Sequence, residues 1–166
     1  MSKEVIVEGT NVTWKPSGGT YGMANLTSLS AATACIGARA DLWSNGGYPR
    51  EMALHFTWKF AVAPNAGTFV NLYLVWANAL TGTGSGGYTE VATSIAGATL
   101  LAKSPQFTQL GFIACDAVTT TLYITLPIYP IARYVQPVVY NGTNQAFSTT
   151  AADHIITMIP RWGVYV

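Results

Sequence analysis

Apolar residues recur at every second position along several short segments, and this period is what most limits the folds open to the chain. Leu54, Phe56 and Trp58 share one face of such a segment, while His55 and Thr57 fall on the other. A period of two is typical of a β-strand with one buried face. No long segment repeats with the period of a helix. The pattern therefore predicts an all-β fold.

Further segments of this kind are separated by turn residues. A short polar gap at Thr119-Thr120 predicts a hairpin between the strands that flank it. Pro137 has no backbone N–H, so we expect its strand at a sheet edge or at a bulge. Together the segments predict that residues 1–166 form one antiparallel β-sandwich domain, similar to a jelly roll. The predicted strands are residues 4–8, 11–15, 54–62, 69–77, 110–118, 121–126, 134–140 and 154–159.

Two stretches lack the alternation. Residues 28–42 are rich in Ala and other small side chains, and we expect at most one short helix there. Residues 81–88, TGTGSGGY, predict a flexible surface loop. This loop lacks the Gly-Lys-Ser/Thr ending of a phosphate-binding loop.

The chain is short of charge. Only 9% of its residues are Asp, Glu, Lys or Arg, and 50% are hydrophobic, whereas a typical soluble domain is about 25% charged. A domain of this size buries about 68–70% of its unfolded surface, so apolar surface must remain outside. Such surface usually contacts another protein, which predicts a subunit of a larger assembly.

Nucleic acid and membrane are not expected as partners. The eight basic residues are scattered and the net charge is +1, which does not suit a surface that tracks phosphates. The most apolar stretch, residues 69–80, is interrupted by Asn71 and Asn78. It is also shorter than the roughly 20 apolar residues of a membrane-spanning helix.

The two cysteines, Cys35 and Cys115, have small or apolar neighbours in the sequence. The opening residues, MSKEVIVE, lack the basic start and apolar run of a secretory signal, so we expect reduced thiols. Both cysteines are predicted to be small core residues, and a disulfide between them remains an open alternative.

Groups that could catalyse a reaction are few. The chain has two histidines, His55 and His154, and seven carboxylates. Asp153 and His154 are adjacent, and neighbours in a strand point to opposite faces, so we expect no shared site. Asp116 lies in an apolar setting and is assigned to a strand end or turn. We predict no catalytic residue, no cofactor and no metal site.

Aromatic side chains are the strongest candidates for contact with a partner, because Trp and Tyr are enriched at protein interfaces. Four lie in Gly- or Pro-rich loops, one on the second apolar face of residues 69–77, and two in an uncharged C-terminal tail. The missing charge favours a protein partner, while loop aromatics that stack on glycans remain an alternative. The candidate interface residues are Trp14, Tyr21, Trp43, Tyr48, Tyr73, Trp162 and Tyr165.

Several segments together resemble small virion structural proteins of tailed bacteriophages. The similarity begins with TWKPSGGTYG at residues 13–22 and LTSL at residues 26–29, and it covers most of the chain. The other segments that carry it are residues 37–42, 72–74, 109–113, 133–141 and 148–154.

The resemblance implies a non-enzymatic part of the particle, and capsid decoration (cement) protein is the preferred role. Such proteins form trimers on the outer capsid lattice, so the implied partners are the major capsid protein and further copies of the chain. The implied location is the capsid surface of the virion, after synthesis in the host cytoplasm. A tail or fibre component that binds glycans is the alternative. The ending RWGVYV differs from the acidic ending of the group.

Overall fold

The structure is a computed structural model that describes residues 4–43, 49–89 and 91–165. In these ranges the chain forms twelve β-strands and one short α-helix, α1 (Gly97–Lys103). The expected all-β fold is confirmed. The strands are β1 (Glu4–Glu8), β2 (Val12–Lys15), β3 (Tyr21–Gly22), β4 (Thr33–Ile36), β5 (Ala40–Asp41), β6 (Glu51–Trp58), β7 (Thr68–Ala77), β8 (Thr93–Ala96), β9 (Thr108–Cys115), β10 (Leu122–Ile128), β11 (Tyr134–Asn141) and β12 (Ile155–Tyr165).

The strands form two six-stranded sheets that enclose a common core. The first sheet has the order β10-β6-β12-β2-β3, with β1 paired to β12. The second has the order β8-β4-β11-β7-β9, with β5 beside β11. The pairs are antiparallel except for the short parallel pair of β2 and β3. The expected antiparallel β-sandwich is thus confirmed.

Large side chains from both sheets form the core between them. Trp14, Phe56 and Trp58 come from the first sheet, and Leu72 and Val139 come from the second. All are fully buried or nearly so, and the rings of Phe56 and Trp58 stack with centroids 4.7 Å apart. Burying an aliphatic or Phe side chain of this size stabilises the fold by about 1.5–3 kcal/mol. The alternation that predicts β6 therefore reflects the packing that holds the sheets together.

The outer face of the second sheet is covered by the chain itself. Tyr73 and Val75 of β7 belong to a second apolar cluster, to which Leu100 of α1 and Phe107 also contribute. The rings of Tyr73 and Phe107 meet edge to face at 6.2 Å. The sequence left open whether a partner covers this face of β7. In the folded chain, α1 and the turn after it lie over it.

Gly97 allows α1 to approach the sheet closely. A Cβ atom at this position would lie 2.3 Å from the carbonyl oxygen of Ala32 and 3.1 Å from the Tyr140 ring. Only glycine leaves room for this contact. The first residue of α1 thus fixes how near the helix lies to β4 and β11.

The position of the helix differs from the prediction for residues 28–42. That stretch instead contributes β4 and β5 to the second sheet, and Ala34 and Cys35 are completely buried there. Small side chains suited a helix by composition, but they also suit a strand covered on both faces. Packing in the folded chain overrides such a propensity.

The hairpin predicted at Thr119-Thr120 is wrong. β9 pairs with β7 in the second sheet, whereas β10 pairs with β6 in the first. The connection therefore crosses between sheets, which lie about 10 Å apart in a sandwich. A short linker requires that two strand ends be near each other, but it does not require the strands to pair.

Pro137 lies in the central strand β11 and not at a sheet edge, so of the two settings expected for it only the irregular pairing is left. Its carbonyl oxygen accepts a hydrogen bond from the Gly37 N–H at 2.9 Å. Gly37 lies where the chain leaves β4 and has not yet entered β5. The N–H and C=O of one strand residue point to the same side. The position where an N–H of residue 137 would lie therefore faces the gap between β4 and β5. Proline is therefore compatible with this position of the central strand, because no strand residue of β4 or β5 needs its N–H.

Buried Arg39 anchors the glycine-rich loop that precedes β8. Its guanidinium donates to the carbonyl oxygens of Ala79 at 2.9 Å and Tyr88 at 3.3 Å. It also donates to Oε1 of buried Gln136 at 3.2 Å. A buried charge is stable only when its polar atoms are hydrogen-bonded. Arg39 therefore holds the loop at both ends.

Candidate interaction sites

The edge strands β9 and β10 each expose side chains on the outer face of their own sheet. β9 ends the second sheet and β10 ends the first. Phe112 of β9 is 71% exposed and Tyr123 of β10 is 80% exposed. The inward-facing side chains of these strands are only partly buried against the core: Leu110, Ile113, Leu122, Ile124 and Leu126.

Two further exposed apolar side chains lie in the segment after β10, where Tyr129 is 67% exposed and Ile131 is 69% exposed. Phe112, Tyr123, Tyr129 and Ile131, here together called the edge surface, are the four most exposed large hydrophobic side chains in the described ranges. Phe112 and Tyr123 belong to the outer faces of different sheets, because their strand neighbours Ile113 and Leu122 pack on the core. Residues 104–132 contain one charged residue, Asp116. Exposed apolar side chains from a stretch with so little charge are typical of surfaces that contact other proteins.

Both edge strands carry features that hinder continuous pairing with another strand. The pairing of β9 with β7 shifts register beside Tyr73, and Gly111 has a φ of +144°. Pro127 removes one backbone donor from β10. Bulges and prolines are common devices against edge-to-edge strand addition. Contact through side chains suits these two edges better than strand addition.

A second candidate lies at the end of the sandwich where β5 meets β11. Arg133 donates from Nε to Asp41 Oδ1 at 3.0 Å and from Nη2 to Asp41 Oδ2 at 2.6 Å. The hydrogen bond from Arg133 lowers the pKa of Asp41, and the pair raises the pKa of Arg133. Asp41 Oδ1 also accepts the backbone N–H of Trp43 at 2.8 Å. One carboxylate thus positions both side chains.

Trp43 and Arg133 border a groove of about 520 Å³. The guanidinium of Arg133 lies 5.1 Å from the Trp43 ring centre and 5.0 Å from that of Tyr134. Trp43 remains 47% exposed. The groove, here called the Trp43 groove, thus combines an aromatic surface with polar groups. Its lining residues are Trp43, Asn78, Ile131, Ala132 and Arg133.

A smaller cavity of about 320 Å³ lies near β4 and β8. Ser28, in its wall, has a φ of +57°. None of the described residues that line it is titratable. Its polar lining residues are Asn25, Thr27, Ser28, Ser30, Thr33 and Ser94.

Asp153 and His154 do share a site, contrary to the prediction. The turn Ala151–Asp153 precedes β12, so the two side chains are not placed by strand alternation. Ser148 Oγ lies 2.5 Å from Asp153 Oδ2 and 3.4 Å from His154 Nε2.

This trio lacks the arrangement of a catalytic triad. His154 Nε2 lies 3.0 Å from the Ser148 carbonyl oxygen, which can only accept, so Nε2 carries the proton. In a triad that nitrogen accepts from serine, and the acid bonds Nδ1. Here the acid bonds serine, and Nδ1 has no partner. His154 is completely buried and stacks on Phe147, and burial lowers its pKa. The trio is best described as part of the core.

The other polar groups weighed in the sequence have structural surroundings. His55 is partly buried, with Nδ1 2.7 Å from the Thr125 hydroxyl on β10. Asp116 follows the end of β9, and its carbonyl oxygen accepts the Val118 N–H, as expected for a strand end. In the described ranges, no three His, Cys, Asp or Glu side chains lie close enough to hold a metal ion.

Cys35 and Cys115 are free thiols, and both are buried. Their prediction as core residues is confirmed, and they do not form a disulfide. Burial raises the pKa of both thiols, that of Cys115 to about 11. Neither is therefore a nucleophile at neutral pH.

The predicted interface aromatics differ in their surroundings. Trp14 is fully buried and donates from Nε1 to the Ala38 carbonyl oxygen at 2.7 Å. Tyr73 is only 4% exposed. Both are core residues, so their assignment to an interface is corrected. Each was misjudged because a local segment does not reveal what packs over it.

The remaining candidates are more accessible or lie beyond what is described. Tyr21 is partly buried, with its ring 5.7 Å from that of Trp14. Trp162 is partly buried and packs so closely on Gly9 that a Cβ there would lie 2.0 Å from its ring. Tyr48 and the side chain of Tyr165 lie outside the described residues. Trp43 is thus the only predicted aromatic found well exposed in the described ranges.

Sequence reasoning missed the edge surface and Arg133. Phe112 and Tyr123 were assigned to strands without regard to which sheet edge they occupy. The available signal was the local lack of charge over residues 104–132. Arg133 had no comparable signal, because its pairing with Asp41 joins positions far apart in the chain.

In the ranges described, no helix is long and apolar enough to cross a membrane. No family model matches the chain, and no curated protein matches its sequence significantly. Among solved structures, the chain is similar to the crystal structure of dimeric latent PorU from Porphyromonas gingivalis, with 15% identity and a TM-score of 0.34. The match covers 96% of this chain and 13% of that chain. Similarity this low carries no argument about function, and the resemblance to phage proteins remains a prediction.

Proposed function

We propose that this chain is a non-enzymatic structural protein of a tailed-phage virion, and specifically a capsid decoration protein that oligomerises. The observation that carries the proposal is the edge surface. Four large apolar side chains, each at least 67% exposed, belong to a stretch with a single charge. Covering them with protein is favourable by about 25 cal/mol for each Å² removed from water.

The edge surface suits a permanent contact better than a transient one. Obligate interfaces are more hydrophobic than the rest of a protein surface, and aromatic anchors supply much of their binding free energy. The net charge of +1 gives little repulsion between copies. A homotrimer, the state implied by the resemblance, would cover the edge surface of each copy against its neighbours.

On the particle, the proposed role is stabilisation by linkage. A protein that binds the assembled lattice, and not its free subunits, shifts the equilibrium towards the lattice. This role requires no chemical step. The internal hydrogen bonds of Ser148, Asp153 and His154 support a structural assignment for the group closest to a catalytic one.

Co-sedimentation with shells assembled from the matching major capsid protein tests this function. The chain is expected to pellet with the shells in saturable amounts and to raise the denaturant concentration at which they disassemble. The double variant F112S/Y123S is expected to lose self-association, with Val91→Ser as a control because Val91 is also exposed, at 62%. A chain that stays in the supernatant and leaves shell stability unchanged would overturn the proposal.

A tail or fibre component that binds host glycans is the second candidate function. The Trp43 groove favours it, because an exposed indole beside fixed polar groups is a feature of sugar-binding sites. Locating the chain in a map of the intact particle separates the two roles. Density on the shell supports decoration, and density at the tail supports the second candidate.

A further inference from the structure

The Trp43 groove has the size and chemical mixture of a small-molecule site. Its volume is about 520 Å³, within the roughly 300–1,000 Å³ typical of ligand sites. Trp43 supplies a half-exposed indole, Asn78 an exposed amide and Ile131 an exposed apolar side chain. Arg133 supplies a guanidinium that is partly accessible. The groove therefore offers both a stacking surface and hydrogen-bonding groups.

We propose that the Trp43 groove binds a neutral saccharide, with the exposed part of the Trp43 indole stacked on the sugar ring. This inference rests on the second candidate function and specifies its ligand class. The C–H groups of a pyranose face carry slight positive charge, and the face of an indole is negative. Stacking therefore suits an uncharged sugar, whose hydroxyl groups remain free to bond at the rim.

The ion pair of Asp41 and Arg133 is the reason for choosing a neutral ligand. Arginine has five N–H donors, and two of its bonds here go to the carboxylate of Asp41. The remaining donors can bond sugar hydroxyls, while the pair as a whole carries no net charge. An anionic ligand would meet the carboxylate as well as the guanidinium and would gain little from the pair.

The site is held in place before any ligand arrives. The Asp41 carboxylate accepts hydrogen bonds from the backbone N–H of Trp43 and from Nε and Nη2 of Arg133. The guanidinium of Arg133 lies over the indole. A site fixed in its binding geometry loses less conformational entropy on binding. Asp41 is therefore a positioning residue, and Trp43 and Arg133 are the residues expected to touch the ligand.

The groove suits a saccharide better than a protein partner. A stable protein interface buries about 800 Å² on each partner and uses about 20–30 residues on each side. Only five of the described residues line the groove, far fewer than such an interface uses. The exposed aromatic side chains that are available for contact with a protein, Phe112 and Tyr123, lie instead on the edge strands.

Titration with a defined set of methyl glycosides tests the inference. The neutral probes are methyl glucoside, methyl galactoside and methyl N-acetylglucosaminide, and the anionic probe is methyl glucuronide. Binding is followed by Trp fluorescence and by NMR shifts. At least one neutral probe is expected to bind with a dissociation constant below about 10 mM and more tightly than the glucuronide.

Three variants assign the binding to the groove. Trp43→Ala is expected to weaken neutral binding at least about 10-fold, because it removes the stacking surface. Tyr123→Ala, which removes an exposed aromatic ring elsewhere, is expected to leave binding unchanged. Asp41→Asn is expected to raise the ratio of anionic to neutral affinity, because it leaves the charge of Arg133 uncompensated. A loss of fold alone would not change that ratio in favour of the anion.

The outcomes separate the inference from the functions proposed above. Preference for the glucuronide by the unmodified protein would overturn the neutral class and leave glycan binding in place. Failure of every probe would overturn both glycan binding and this inference, without bearing on capsid binding. A Trp43→Ala variant that self-associates less but binds sugars normally would overturn the inference and make the groove a protein contact.

Discussion

Asp41 and Arg133 form a two-pronged ion pair, with Nε–Oδ1 and Nη2–Oδ2 distances of 3.0 and 2.6 Å. The pair joins the end of β5 to the segment that enters β11. Because Asp41 also accepts a hydrogen bond from the Trp43 backbone N–H, it helps to position Trp43, the most exposed of the predicted interface aromatics in the described ranges. The Asp41 carboxylate therefore contributes both to the stability of this end of the sandwich and to the position of Trp43, which is proposed to contact the ligand.

Asp41→Asn is expected to lower the free energy of unfolding at neutral pH by only a small amount, since the pair is partly exposed to solvent and its charges are screened. The hydrogen bond from Arg133 lowers the pKa of Asp41 in the folded state. The stabilisation is therefore present above the unfolded pKa of about 3.9 and is lost as the pH falls through the lower folded value. Urea unfolding of both proteins at several pH values measures this difference. A difference that persists unchanged well below pH 4 would contradict the role of the pair.

Leu100→Ala tests whether α1 covers the outer face of β7. Leu100 is completely buried, whereas its neighbour Leu101 is 53% exposed. Removing a buried leucine side chain costs about 2–5 kcal/mol, while an exposed one costs within about 0.5 kcal/mol. Leu101→Ala is thus a matched control in the same helix, and chemical denaturation compares the two. Equal costs would show that α1 does not pack as described.

His154 is expected to make stability depend on pH. Burial lowers its pKa in the folded state, so below the unfolded value of about 6.5 the unfolded chain takes up the proton first. The free energy of unfolding should therefore fall as the pH drops below that value, by at most about 1.4 kcal/mol per pH unit. Above it, this contribution should be constant.

His154→Gln provides the comparison, because glutamine titrates nowhere in this range and can still donate to the Ser148 carbonyl. Its unfolding free energy should fall less steeply between pH 7 and pH 5 than that of the unmodified protein. His55→Gln, at the partly buried histidine of β6, serves as the control. If His55→Gln removes the pH dependence and His154→Gln does not, the assignment is wrong.

Period-two alternation was enough to predict the main strands and the sandwich. Residues 69–77 were predicted as a strand, and β7 is Thr68–Ala77. The same pattern could not show what covers Tyr73, because Leu100 comes from the Thr- and Ala-rich residues 90–102, which have no clear period, and Phe107 comes from the short segment after them. Nor could it assign β9 and β10 to different sheets, because pairing partners are set by distant parts of the chain.

The candidate sites were harder to predict than the fold. Trp43 was recognised as a loop aromatic, but its neighbours Asn78 and Arg133 come from the ends of other strands. Trp14 gave the same local signal and is nevertheless completely buried. Exposure of an aromatic residue is decided by tertiary packing, which a loop sequence does not specify.

The central claim is that the edge surface holds copies of this chain together, and measuring mass in solution tests it most directly. Sedimentation of the purified protein over a range of concentrations should show a trimer of 17.7 kDa subunits. F112S/Y123S should weaken assembly at least about 30-fold, since two aromatic anchors are lost, and Val91→Ser should assemble normally. An unmodified chain that stays monomeric at every concentration, or a double variant that assembles as well as the unmodified chain, would contradict the claim.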